Sequence, residues 1–276
     1  MTTADVAPRP VNPPRELRGA PDVPLWRNPT AGLLLVTLGL VTAGTVGYVQ
    51  GWLPAWGTVL VNATGMYLGF TVLHEAVHRT GHRSKAINDA MGWAPGLLLF
   101  FTLPMFRTCH SKHHANTNDP ANDPDHSVSK QPAWLRVWWL FFTVFNYRRL
   151  YYGRRWWRSG RELAVQAVAD LALASGFVWV VAAGPTSTWA VVHVIPVVLA
   201  GMFLFYTFDY LPHYPFDSGE RYHDTRIQPG RLRHAILLGQ NYHLIHHLWV
   251  TIPWYRYRDV FDLLEDDLVA QGARID

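Results

Sequence analysis

Long apolar runs alternate with polar segments along this chain of 276 residues. The uncharged runs cover residues 31–48, 56–73, 171–183 with a helix-favouring extension at 164–169, and 189–208. A helix needs about 20 apolar residues to cross the hydrocarbon core of a bilayer. Turn-like segments at residues 51–54 and 184–188 join the runs in pairs. The pattern predicts an all-α integral membrane protein with four transmembrane helices in two hairpins.

Two shorter apolar stretches, residues 95–106 and 134–147, are rich in Phe and Trp. They are too short to cross a bilayer comfortably, so we expect helices that lie at the membrane interface or dip into it. Residues 1–29 are rich in Pro and predict a flexible tail. We expect one domain over residues 30–265 and a C-terminal tail over 266–276.

Basic residues concentrate outside the two predicted hairpin loops. The net charge is +4, and the isoelectric point is near 9.3. The clusters precede the first and third spans and consist of Arg9, Arg15, Arg18, Arg27, Arg148, Arg149, Arg154, Arg155, Arg158 and Arg161. By the positive-inside rule, both termini and the histidine-rich segments are expected in the cytoplasm, beneath a bacterial inner membrane. The charge is then explained by topology and anionic lipid, without a nucleic-acid partner.

Only one cysteine, Cys109, is present, whereas there are fourteen histidines. One cysteine excludes a disulfide framework, an all-cysteine zinc site and a cysteine-ligated iron–sulfur cluster within the chain. A metal would therefore be held by His, Asp or Glu. We interpret His193, which is isolated inside the fourth run, as a structural residue.

Most of the other histidines form three clusters with metal-ligand spacing. The clusters are His74-Glu75-Ala76-Val77-His78, His110-Ser111-Lys112-His113-His114 and His243-Leu244-Ile245-His246-His247. Residues i, i+3 and i+4 share one face of a helix, so each cluster can direct two or three imidazoles at one point. Imidazole suits iron, zinc and copper, so the residue type alone does not identify the metal.

Two other functions account for part of this pattern. The first cluster fits His-Glu-x-x-His, the helix of zinc proteases in which the Glu is the general base. One zinc needs about three protein ligands, however, and two clusters would remain unused. A metal transporter would need a polar pathway through the membrane, and the clustered histidines lie off the predicted spans. The excess of histidines favours two metals and redox chemistry with O2.

The three clusters around two membrane hairpins resemble the membrane fatty acid desaturase and hydroxylase superfamily. Within it, the chain most resembles the cyanobacterial-type β-carotene hydroxylases over residues 61–261. The similarity is carried by residues 113–120, 123–126, 211–214, 238–249 and 252–257, of which 238–249 is the most specific. Glu75 is a departure, since carotenoid members usually have Asp at that position.

The resemblance implies two non-haem iron ions and no catalytic residue beyond their ligands. The implied ligands are His74, His78, His110, His113, His114, His213, His243, His246 and His247. His82 is a further possible ligand, one turn beyond His78. Asp119, Asp123, Asp125 and Asn241 are expected to orient the ligands by hydrogen bonding, although a solvated turn would also explain the acidic residues. His126, His223 and His234 are expected outside the ligand set, either beside the ligands or at the protein surface.

The implied activity is O2-dependent hydroxylation of a carotenoid ring at the 3-position. Desaturation of an acyl lipid is the alternative, because small differences in substrate placement separate the two outcomes. The substrate passage is expected between the hairpins, along Phe70, Leu73, Phe205 and Tyr206, where ordinary helix packing would also explain these residues. Electrons must come from an external donor, and an acidic ferredoxin would suit the Arg-rich face.

Overall fold

The structure is a computed structural model that describes residues 11–126, 133–136 and 138–276. Residues 1–10 of the predicted tail and residue 137 of the predicted stretch 134–147 lie outside the described residues. Within the described residues the chain is helical and has no strand. One isolated parallel bridge joins Ile227 to Ile275. The all-α expectation is therefore confirmed.

Ten helices organise the described part of the chain, and we number them in chain order. They are α1 (Pro29–Val49), α2 (Ala55–His78), α3 (Lys85–Leu98), α4 (Leu103–Ala115), α5 (Trp139–Gly153), α6 (Gly160–Ala183), α7 (Thr186–His213), α8 (Arg231–Leu237), α9 (His243–Leu248) and α10 (Tyr257–Ala270). Helix α7 contains wide π-helical turns at Ala190–Val194 and Phe205–Tyr210. Single helical turns occur at Arg15–Leu17, Leu25–Arg27, Ala133–Arg136, Gln240–Tyr242 and Trp254–Arg256.

Local sequence signals set the ends of the two long helices that follow charged segments. Helix α1 begins where the Asn28 side chain accepts a hydrogen bond from the Ala31 amide, with Pro at the first helical position. Helix α6 begins where Ser159 accepts from the Glu162 amide. It ends at Gly184, whose φ of 94° is accessible to glycine at little cost.

Among the described residues, three helices are long and apolar enough to cross a membrane: α1, α6 and α7. Helices α3 and α4 would add a fourth if they form one broken span, because they meet at 93°. The predicted second span is helix α2, which has 24 residues but is not among the three. The polar Asn62 within its apolar run lowers its hydropathy.

Helix α2 is buried along most of its length rather than exposed to lipid. It runs antiparallel to α1, and small residues allow close approach of the two helices. A Cβ atom at Gly65 would lie 2.9 Å from the Val41 side chain and 3.1 Å from the Thr37 carbonyl oxygen. Helix α2 therefore forms the central support for the residues at its C-terminal end.

The predicted interfacial helix over residues 95–106 is not continuous. Residues 99–102 instead form a corner between α3 and α4, and Phe100 takes a left-handed conformation with φ of 61°. Phe101 is buried at this corner and packs against Phe106 and Tyr147. The corner turns α4 so that its C-terminal half faces α2. The second predicted stretch overlaps α5 over residues 139–147, and α5 continues to Gly153.

The C-terminal residues form a small core of their own beside the third histidine cluster. The buried face of α10 includes Tyr257, Phe261 and Leu268. Residues 266–276, expected to be a tail, continue this helix and lead to the bridge at Ile275. This core supports helix α9 from the side opposite α2 and α4.

Candidate metal centre

Two groups of imidazoles form where α2, α4, α7 and α9 meet. In the first group, ligand atoms lie within 4.8 Å of one another on His74, His78, His110, His114 and His246. The second group consists of His113, His213 and His247, within the same distance. His243 borders the second group, since its Nε2 lies 3.2 Å from that of His247. The structure thus brings together all nine histidines that the family resemblance implied as ligands.

Helical spacing explains how one cluster contributes to both groups. On α4, His110 and His114 are four residues apart and share a face directed at α2. His113 lies beside that face, and its ring is 4.9 Å from the ring of His213 at the end of α7. Helix α9 likewise directs His246 to the first group and His247 to the second.

The buried imidazoles lack the partners that a metal-free core would require. No hydrogen-bond partner reaches either ring nitrogen of His74, Nε2 of His78, or Nδ1 of His213. In the same group, Nε2 of His114 lies 3.0 Å from Nε2 of His110 and 2.9 Å from Nε2 of His246. Each unpaired buried polar group costs about 1–3 kcal/mol. Cations bound between the rings would remove this cost, so the residues fit two metal ions.

The electrostatic environment keeps the rings of the third histidine cluster neutral, as metal binding requires. Burial lowers the pKa of both His243 and His246 well below the usual value, and neighbouring histidines lower it further. A neutral imidazole has a lone pair available for a metal without first losing a proton. These rings can therefore accept a metal at neutral pH. His113 differs, because Asp123 and Asp125 raise its pKa to about 9 against the effect of burial, so its ring must release a proton when it binds a metal.

Two carboxylates contact His113 from outside the second group, and they belong to Asp123 and Asp125, for which we expect an orienting role. His113 Nδ1 lies 2.9 Å from the Asp123 carboxylate and 3.4 Å from that of Asp125. Burial alone would raise the pKa of Asp123, but His113 brings it below the usual value. Burial raises the pKa of Asp125 to about 6, and Tyr147 donates a hydrogen bond to its carboxylate.

We expect Asp123→Asn to weaken metal binding at the second group by roughly 10–100-fold, since the substitution removes the charge that orients His113. Competition with a chelator, followed by metal analysis, measures this loss. Asp119→Asn is the matched control, because Asp119 lies in an exposed turn. Equal metal retention by the two variants would contradict an orienting role for Asp123.

Asp119 and Asn241, also expected to orient ligands, hydrogen-bond to loop residues rather than to the nine histidines. The Asp119 carboxylate accepts hydrogen bonds from the Ala121 amide and the Asn122 side chain, so the solvated-turn interpretation holds for it. Asn241 donates to the Gln228 carbonyl oxygen and fixes the backbone before α9. Both residues shape loops near the histidines.

The sequence did not identify several residues that contact the outer nitrogens of the third cluster. They are Gln240 at 3.0 Å from His243 Nδ1, Tyr257 at 3.0 Å from His246 Nδ1, and Thr117 and Asp224 at 3.3 and 3.5 Å from His247 Nδ1. Gln240 and Tyr257 lie within the runs that carried the family resemblance, which was an available signal. Asp224 lies outside those runs, so the resemblance does not point to it.

The position of His82 contradicts its expected place one turn beyond His78 on the same helix. Helix α2 ends at His78, and Arg79 takes a left-handed conformation that redirects the chain. The Nδ1 of His82 accepts a hydrogen bond from the Ser84 amide instead. His82 belongs to neither histidine group among the described residues.

Glu75 is buried and occupied by structural contacts. Its carboxylate accepts hydrogen bonds from the Thr80 hydroxyl at 2.7 Å and from the Trp254 amide at 3.3 Å. It therefore ties α2 to the loop after α9 and is not held as a general base beside the histidines. This geometry argues against the zinc-protease alternative.

The remaining histidines lie outside the two groups. His193 stacks on Trp189 and meets the edge of Phe100, as the structural interpretation predicts. His126 is buried beside the carboxylates that contact His113. His223 and His234 are partly exposed.

A small cavity of about 30 Å³ lies against both histidine groups. It has room for about one or two water-sized molecules. Its apolar wall includes Phe70, Phe106 and Phe208. Of the predicted passage residues only Phe70 lines it, whereas Leu73 and Phe205 are buried in the core and Tyr206 is exposed.

A buried carboxylate that the sequence analysis missed also lines this cavity. Asp209 lies one turn before His213 and accepts a hydrogen bond from the Trp139 indole at 2.8 Å. An ionisable residue directly after a predicted span was the available signal. The Asp209 and Trp139 pair fixes one wall of the cavity.

Comparison with known proteins agrees with this arrangement. The family model described as fatty acid desaturase matches residues 50–276. The chain is 24% identical to an sn-1 oleoyl-lipid 12-desaturase from Arthrospira platensis, with 76% of each chain covered. It is 23% identical to the protein of that name from Anabaena variabilis, covering 88% of this chain and 76% of the relative. A chloroplastic omega-6 fatty acid desaturase from Glycine max is 27% identical over 46% of this chain and 28% of its own length. The chain belongs to the fatty acid desaturase family.

Proposed function

We propose that this protein is a membrane oxidoreductase that introduces a double bond into an acyl lipid, using O2 and two iron ions. The observation that carries the proposal is the pair of adjoining imidazole groups, one of five histidines and one of three with His243 beside it. The relatives named as oleoyl-lipid desaturases support an acyl chain as substrate.

In this proposal the two irons supply the O2-dependent oxidation of an unactivated C–H bond. The protein contributes binding, orientation and exclusion of water. The first group would hold one iron, and His113, His213, His243 and His247 would hold the other. Asp123 keeps the His113 ring oriented, and the aromatic wall of the cavity restricts which carbon approaches.

Hydroxylation of a carotenoid ring is the second candidate. It is favoured by the resemblance of residues 238–249 and 252–257 to the carotenoid hydroxylases. Both reactions begin with removal of hydrogen from a hydrocarbon, and substrate placement then decides between loss of a second hydrogen and addition of oxygen. The two candidates are therefore distinguished by their products.

The proposal includes a location and an electron source. The distribution of Arg favours a bacterial inner membrane with both termini and the histidine groups on the cytoplasmic side. Lys112, next to His113, lies over the Trp156 ring with Arg154 nearby. An acidic ferredoxin-like donor would suit this basic surface.

The test is expression of the full chain in a bacterial host that accumulates β-carotene, with acyl chains and pigments both analysed by chromatography and mass. We expect acyl chains with a new double bond from the intact protein and none from a His213→Ala variant. Hydroxylated carotene in place of new double bonds would support the second candidate. With purified components, turnover should fall as salt rises if the donor is acidic.

Iron-loaded protein that changes neither lipid, in a host with a competent donor, would contradict both candidates. Activity that survives His213→Ala would contradict the assigned ligands. Turnover independent of ionic strength would argue against an acidic donor alone.

A further inference from the structure

A second and much larger cavity lies on the opposite side of α5 from the histidines. Its volume is about 470 Å³, and its lining is almost entirely apolar. Helix α5 separates the two spaces: Thr143 and Tyr147 face the metal centre, whereas Phe141 and Phe145 face the larger cavity. We call this larger space the lateral groove. Its other walls come from α6 and α7.

The lateral groove exists because α6 stands apart from the rest of the protein. Only 6% of its most apolar window is buried. Near its N-terminal end, Gln166 accepts hydrogen bonds from the Thr102 hydroxyl at 2.6 Å and the Met105 amide at 3.2 Å. Near its C-terminal end, Phe177 meets the edge of Trp189. Between these attachments the apolar faces of α6 and α7 do not close on each other.

A satisfied ion pair lies at the polar end of the groove. Arg148 donates to the Asp170 carboxylate at 2.8–2.9 Å and also to the Phe100 carbonyl oxygen. Asp170 accepts further hydrogen bonds from Tyr152 and Gln166. Because these charges are already paired, this end offers little attraction to a charged headgroup. Recognition in the groove must depend on hydrocarbon.

We propose that the lateral groove binds one hydrocarbon chain of a membrane lipid, an acyl chain entering sideways from the bilayer. Helices α6 and α7 are both apolar and long enough to cross a membrane, so the surrounding solvent is lipid. Water would find few hydrogen-bond partners on this lining, whereas a hydrocarbon chain fills the groove without losing hydrogen bonds. The volume is in the range of small-molecule sites, roughly 300–1,000 Å³.

This site is separate from the small cavity beside the histidine groups, because the two spaces have no lining residue in common. The inference rests on the membrane setting of the proposed function but not on its metal chemistry. A lipid held by α5, α6 and α7 would also fasten α6, which has few protein contacts of its own. The ligand class is thus a bilayer acyl chain, held whether or not that chain is oxidised.

The test places the full protein in liposomes of dioleoyl phosphatidylglycerol that contain a small fraction of the same lipid with a diazirine in one acyl chain. After illumination, we expect peptides bearing Phe141, Phe145 and Phe177 to carry more label than the outer face of α6, represented by Ala172. This mapping uses the unaltered sequence, so it does not depend on the folding of a variant.

Ala174→Trp then tests occupancy, because Ala174 lines the groove and the indole would fill it. Lipid retained by the purified variant, counted by native mass spectrometry, should fall about tenfold or more, since several methylene contacts are lost. Ala172→Trp is the matched control on the other face of the same helix. Uniform labelling around α6, or equal lipid retention by the two variants, would overturn the proposal. Metal content and lipid products, measured separately, test the proposed function.

Discussion

Replacing His246 with alanine is expected to remove the metal from the first histidine group and to abolish turnover. His246 Nε2 lies 2.9 Å from His114 Nε2, and its other nitrogen is 3.0 Å from the Tyr257 hydroxyl. Loss of an orienting partner alone typically lowers metal affinity by about 10–100-fold, so loss of a ligand should cost at least about 100-fold. Metal analysis of the purified protein, together with product analysis, measures both effects.

His234→Ala is the control, because His234 is partly exposed on α8 and belongs to neither group. It should retain metal and turnover. A zinc protease that used only His74, Glu75 and His78 would be unaffected by His246→Ala. Full metal content in the His246 variant would therefore contradict the assignment of this ligand and reopen the hydrolytic alternative.

The sequence predicted those features of the fold that depend on local pattern. Uninterrupted apolar runs identified α1, α6 and α7. A helix that spans lipid must form hydrogen bonds among its own backbone groups and present apolar side chains. The sequence does not predict the corner at residues 99–102, because this stretch of Phe and Leu is equally apolar in a continuous helix and in a bend. Only the packing of Phe101 against α4 and α5 selects the bend.

In the metal centre, too, local spacing predicts some residues, whereas others depend on tertiary structure. Helical spacing identified His74 with His78, and His110 with His114, since i and i+4 positions share a face. The family resemblance supplied His213, which lies far along the chain from its neighbours. His82 was wrongly placed because nothing in the spacing shows that α2 ends at His78. Contacts such as Asp224 with His247 depend on tertiary structure and carry no sequence motif.

Asp170→Ala is expected to lower the free energy of unfolding by about 3 kcal/mol, because it leaves the Arg148 guanidinium partly buried without its counter-charge. Both side chains of this ion pair are about one-fifth exposed. Thermal unfolding in a fixed detergent measures the change. Asp22→Ala is the control, since its ion pair with Arg83 is largely exposed and should contribute little.

A second variant separates charge from packing at the same position. In Arg148→Met with Asp170→Leu, both charges are replaced by apolar groups of similar size, and much of the lost stability should return. If the double variant is as unstable as Asp170→Ala, then the hydrogen bonds from Tyr152 and Gln166, rather than the paired charges, attach α6 to the protein. If the stability of the double variant is restored, the ion pair between Arg148 and Asp170 is dispensable for folding. The ion pair would then act chiefly to close one end of the lateral groove, which stays apolar along the rest of its length.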